Sequence, residues 1–151
     1  MTDSTLSFGV DIPFVKLLGF QLTLFEGGRS EVLLPADPEH LNSFAVTHGG
    51  VLMALLDVTM ASAARSVCPE LGVVTIEMKT SFMRPAIPSE NGPLVAKGEL
   101  MHRTATMAFV EATVHDEAGR ACAHSTGTFK YVRRLPTGAK SANGLDVIST
   151  D

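Results

Sequence analysis

The chain has 151 residues, of which 45% are hydrophobic and 19% charged, with a formal net charge of −4. That is enough for one domain with its own core and too little for two, and no run of Lys and Arg offers a footprint for nucleic acid. The N-terminus lacks a basic stretch followed by an apolar one, the longest apolar run is shorter than a membrane span, and Cys68 and Cys122 form no paired motif. The sequence therefore predicts a cytoplasmic protein with reduced thiols and no membrane contact.

In chain order, the first sixteen residues are mixed, and Phe8, Ile12, Phe14 and Val15 suit a short helix or arm. Leu17 to Phe25 alternates, Glu26-Gly27-Gly28-Arg29 marks a turn, and Ser30 to Leu34 continues to Pro35, which reads as a hairpin. Residues 36–47 have no clean period and read as a loop with room for one helical turn. His48 to Ala64 is HGGVLMALLDVTMASAA, and Gly49–Arg65 has the length and composition of a helix apolar nearly all round. Val73 to Met83 alternates, with Val74, Ile76, Met78 and Phe82 on one face and Thr75, Glu77, Lys79 and Ser81 on the other. Leu94–Arg103, Thr106–His115 and Ala121–Val132 read as three more strands, separated by turns at 88–93 and 116–119. The order β-β-α-β-β-β-β predicts an α+β domain over residues 1–133, an antiparallel sheet against one buried helix. Residues 134–151, polar and rich in Gly and Ser, read as a disordered tail.

The helix carries a single charge, Asp57, where burial makes a carboxylate costly. Its start, His48-Gly49-Gly50, presents unpaired N–H groups and the positive end of a dipole, the chemistry that stabilises an oxyanion. Gly49 and Asp57 lie eight residues apart, about 12 Å along one helix axis, too far for both to reach one carbonyl comfortably. If both serve one reaction centre, Asp57 must come from a second, antiparallel copy of the helix, which predicts a two-fold dimer with sites at its interface. His48 reads either as a general base or, more simply, as a residue tying down the loop. Asn42 suits a turn and can also supply an amide donor. Arg84, Arg103, Arg133 and Arg134 can meet phosphates or, more simply, are solvated surface charges. His102, His115 and His124 show no ligand spacing, so no metal is expected.

Asn42, His48-Gly49-Gly50 and Asp57, with TIEMKTSFMRPA (75–86) and AHSTGTFKYV (123–132), resemble the hotdog-fold acyl-CoA thioesterases of the PaaI-like type over residues 15–133. The resemblance implies a long helix wrapped by an antiparallel sheet, assembled as a homodimer and often a homotetramer. It implies acyl-CoA as substrate and no separate cofactor. Asp57 would attack the thioester or activate water, the Gly49 N–H, helped by Asn42, would polarise the carbonyl, and Thr75 would help position water. His48 completes the expected catalytic set, and Gly50 and Arg84 are expected to contact substrate. Ala45 stands where many members carry Gly. Met53, Met60, Phe82 and the Phe8–Phe14 arm are candidates for pocket walls. Two rival readings remain: a non-hydrolytic acyl-CoA binding module and a hotdog dehydratase acting on hydroxyacyl thioesters.

Overall fold

A computed structural model describes residues 5–87, 89, 91–134 and 148–149. Helix α1 (Pro13–Leu18) has proline in its first turn and ends on Gly19, whose φ of 79° lies in the left-handed region that glycine adopts freely. The first strand therefore begins later than the alternation from Leu17 implies, because Gly19 closes a helix. Strands β1 (Gln21–Glu26) and β2 (Arg29–Leu34) form the expected hairpin. The loop after it holds one 3-10 turn, Pro38–His40, and leads into α2 (Gly49–Arg65). Strands β3 (Gly72–Phe82), β4 (Leu94–Arg103), β5 (Met107–His115) and β6 (Ala121–Arg134) follow.

The sheet runs β1-β2-β4-β5-β6-β3 with every neighbour antiparallel. It wraps α2, which packs against β2 to β6. Leu55, Leu56 and Met60 on the helix and Phe129, Val110 and Val114 on the sheet are fully buried, each such side chain contributing about 1.5–3 kcal/mol by leaving water. Met60 is thus core and not a pocket wall. Helix and sheet meet closely at Gly98, where a Cβ would lie 2.9 Å from the Thr59 carbonyl on α2 and 2.6 Å from Ser30 Oγ on β2. Ser30 Oγ itself donates to that carbonyl at 2.6 Å, and the Tyr131 hydroxyl donates to the Ala64 carbonyl at 2.7 Å.

The side of α2 turned away from the sheet is not polar. It carries Met53, Ala54, Val58 and Ala61, partly exposed, with Asp57 among them. Beside it runs β3, an edge strand. Among the described residues no helix is long and apolar enough to cross a membrane, and Cys68 and Cys122 are free. The expectation of a disordered tail falls mainly on residues outside those described; Ile148–Ser149, strand β7, pairs with Arg133 and Arg134.

Strand β3 departs from simple alternation. Its register against β6 shifts between Thr75 and Glu77, a bulge at Ile76 that exchanges the faces on either side of it. Thr75 pairs with Phe129, and Phe82 with Ala123, both partners buried against the helix. Thr75 therefore shares the helix-facing side with Met78, Thr80 and Phe82, and not the outer side with Glu77 and Lys79 as alternation alone implies.

The turn before α2 holds the one strained backbone position among the described residues that are not glycine: Ala45, with φ of 60°. An L-residue there pays about 1–2 kcal/mol, part of which glycine returns as unfolded-chain entropy. Ala45→Gly is therefore expected to stabilise the fold by roughly 0.5–1 kcal/mol, read as a higher urea midpoint with unchanged slope; a lower midpoint would show that the strain is not there.

Candidate active site

The site is built on the two ends of one helix segment. His48 is the N-cap of α2 in an extended conformation (φ −60°, ψ 135°), and its ring Nδ1 accepts the Gly50 N–H at 2.8 Å. That bond makes Nδ1 an acceptor and leaves the proton of the neutral ring on Nε2. The His48 carbonyl takes the next two amides, Val51 at 3.0 Å and Leu52 at 3.2 Å. The Gly49 N–H has no acceptor among the described residues. His48 thus consumes the first-turn donors around one amide and leaves that amide free at the positive end of the helix. Gly50 serves this cap: a Cβ there would lie 3.1 Å from His48 Nδ1.

The loop that delivers His48 is closed on itself. The His48 N–H donates to the His40 carbonyl at 2.8 Å, and His40 is buried, a support that no motif in the sequence announced. Asn42 Oδ1 accepts the N–H groups of Phe44 (2.8 Å) and Val46 (3.3 Å), so this side chain organises the turn that bends at Ala45. No hydrogen bond joins Asn42 to Gly49 or Asp57.

Two turns along α2, Asp57 is half-buried and Thr75 Oγ1 donates to its Oδ1 at 2.6 Å. The Ile76 bulge is what turns Thr75 toward the helix, and nothing in the alternation of β3 signals it. Oδ2 has no partner among the described residues. Burial pushes the carboxyl above the ordinary range, and the Thr75 hydrogen bond partly offsets this by favouring the ionised form.

At the other end of β3, the Phe82 ring lies against the start of α2. Its Cε1 and Cζ atoms stand 3.5 Å from where a Gly49 side chain would begin. Arg84, just beyond, is exposed and forms no ion pair among the described residues. Of the expected site residues, one chain therefore gathers His48, Gly49 and Gly50 at the helix start and Asp57 with Thr75 further in. It does not bring the two groups together.

Grooves of about 420 and 440 Å³ lie on the outer face of the sheet, around Glu31, Lys97 and His115, and α2 lines neither of them. The candidate residues lie instead where α2 and β3 run side by side. Among the described residues, no three His, Cys, Asp or Glu side chains gather to hold a metal ion.

Comparison with known proteins places this geometry among relatives. A family model described as Thioesterase superfamily matches residues 44–123. A protein of Saccharolobus solfataricus named "Putative esterase SSO2140" is 30% identical over 125 residues, covering 83% of this chain and 86% of its own. Among solved structures, conserved protein PA5202 from Pseudomonas aeruginosa superposes with a TM-score of 0.76 at 28% identity, covering 82% of this chain and 96% of that one. The E. coli PaaI protein from the phenylacetic acid degradation operon shares the fold, with a TM-score of 0.72 at 22% identity over 80% of this chain and 84% of its own.

The raised pKa of Asp57 makes its ionised form a cost to the folded state. The contribution of the protonated carboxyl is fully present below the ordinary carboxylate value of about 4 and is lost as pH rises through its higher folded value. Asp57→Asn is therefore expected to gain thermal stability over the parent as pH rises from about 4, the gain levelling off above the raised folded value. Melting curves across that range check it, and a pH-independent difference would contradict it.

Proposed function

The chain belongs to the Thioesterase superfamily, and from that membership we propose that it hydrolyses acyl-CoA or aryl-CoA thioesters to the free acid and CoA, at sites shared between two protomers. The observation that carries this reading is the free Gly49 amide at the start of the same helix that holds Asp57. A thioester carbonyl accepting from Gly49 N–H is polarised, and the negative charge that develops on its oxygen is met by the amide and the helix dipole. The carboxylate then either attacks the carbonyl carbon, expelling CoA and leaving an anhydride that water hydrolyses to the free acid, or takes a proton from the attacking water and passes it to the departing CoA sulfur. The Asp57 oxygen left unpartnered beside the one held by Thr75 serves either step, and CoA leaves as the thiol once it gains a proton. His48 acts as the cap that frees Gly49, and Asn42 shapes the turn in front of it. Arg84, exposed and in no ion pair among the described residues, would meet CoA phosphate.

Three features support the two-protomer arrangement. The first is the helix itself, which separates Gly49 from Asp57 by about 12 Å. The second is the apolar outer side of α2, with Ala54 and Ala61 small enough for a second helix to approach. The third is the edge strand β3, eleven residues long, with Ile76 53% exposed. A long unpaired edge invites pairing with another chain, and pairing two β3 strands about a two-fold axis sets two α2 helices side by side and antiparallel. Met53, midway between Gly49 and Asp57, then falls at the axis. A homotetramer would add a second contact to this dimer.

The structure makes the Gly49 amide removable. Gly49 is the first residue of α2, where proline is well tolerated, and His48 before it already has the extended conformation that a following proline demands. Gly49→Pro is expected to keep the fold and lower thioester hydrolysis by about 10²–10³-fold; Asp57→Asn is expected to lower it by about 10²–10⁴-fold. Thiol release from a panel of short, long and aromatic acyl-CoAs, with circular dichroism on each variant, checks both. Near-normal turnover in either folded variant would contradict the assignment, and binding without thiol release by the parent would make the chain a binding module.

A further inference from the structure

We infer that Phe82 is a specificity-determining residue, whose ring walls the pocket at the Gly49 amide and excludes thioesters branched at the carbon next to the carbonyl. The inference rests on the hydrolytic reading above and extends it to the kind of acyl group accepted. Phe82 is the last residue of β3 and points to the helix side, opposite buried Ala123. Its Cε1 and Cζ atoms are 3.5 Å from the position of a Cβ on Gly49, ordinary van der Waals contact. That Cβ position and the Gly49 nitrogen are attached to the same Cα. The ring thus flanks the residue whose N–H is free, and a carbonyl accepting from that N–H at about 2.9 Å would bring its acyl carbon toward the ring.

The ring is both available and fixed. In the single chain it is 52% exposed, an apolar surface beside the free Gly49 amide. The backbone behind it is pinned: the N–H groups of Met83 and Arg84 both donate to the Cys122 carbonyl, at 2.8 and 3.1 Å, and Pro85 follows. The wall therefore cannot draw back with the strand end. Of the two substituents on a thioester carbonyl, the apolar acyl carbon is the one that suits an aromatic wall, since the CoA arm carries amides and phosphates that need solvent. An unbranched CH₂ turns only hydrogens to the ring, whereas a methyl branch on that carbon would meet it or displace the oxygen from Gly49.

The test compares the straight-chain acyl-CoA that the parent turns over fastest with its 2-methyl and 2,2-dimethyl derivatives, in the parent and in Phe82→Leu and Phe82→Ala, by thiol release. One methyl is worth about 10–200-fold in a fitted pocket. The parent is expected to lose kcat/KM by at least that factor per branch. Phe82→Ala is expected to regain at least 10-fold of the branched-to-straight ratio, with Phe82→Leu between, and with branched-substrate turnover rising in absolute terms. Because the side chain is half-exposed, both variants should fold, and Phe82→Leu keeps the comparison if Phe82→Ala does not. A ratio unchanged in the folded variants, with all substrates slowed alike, would overturn the inference and leave the hydrolytic reading standing. A parent that releases no thiol from any substrate would overturn both.

Discussion

A straight helix holds its first amide and a carboxylate eight residues later about 12 Å apart, and no side-chain rotation closes that gap. Much else in the molecule follows from this constraint. If the Gly49 amide and the Asp57 carboxylate act on one carbonyl, the second copy of the helix has to lie alongside the first, and its outer surface has to tolerate that contact. The outer side of α2 carries Met53, Ala54, Val58 and Ala61, a composition that makes little sense for a helix covered by one sheet and facing water. The cost of keeping Asp57 among such residues appears as its raised pKa, tempered by the Thr75 hydroxyl.

Two local departures from regular structure set up the chemistry. The bulge at Ile76 re-aims one side chain, Thr75, from the outer face of the sheet to the carboxylate; without it the same residue would point to solvent. The turn at Ala45, left-handed without the help of glycine, brings the loop round so that His48 can cap the helix and the His40 carbonyl can hold the His48 amide. Strain of this kind persists only where the surroundings over-determine it. Here the two Asn42 hydrogen bonds and the antiparallel bridge between Leu41 and Thr47 do so.

The order of elements was legible because the signals are local: a turn at Gly27-Gly28, a helix-length apolar run, and alternation along β5 with Val110, Ala112 and Val114 all inward. The candidate site was legible as residue types, since a lone carboxylate on an apolar helix and a His-Gly-Gly start stand out against any core. Their arrangement was less so. Alternation put Thr75 on the wrong face, because a bulge depends on pairing with β6 and leaves no mark in the strand itself. Leu17 was assigned to a strand because its polarity fits either element, and only the left-handed Gly19 decides for a helix. Gly50 looked like a second donor to substrate, but whether its amide is free depends on the His48 rotamer. Phe82 was one apolar residue among several candidates until its ring could be placed over Gly49.

If one active site draws on two chains, two inactive variants must complement each other in a mixed dimer. Chains carrying Asp57→Asn and chains carrying Gly49→Pro, each with a different affinity tag, are co-expressed, and the mixed dimer is purified through both tags. In that dimer one site combines both substitutions, while the other pairs an intact Asp57 with an intact Gly49. The account predicts about half the parent's turnover per dimer. A mixed dimer as inactive as its two parents would contradict it.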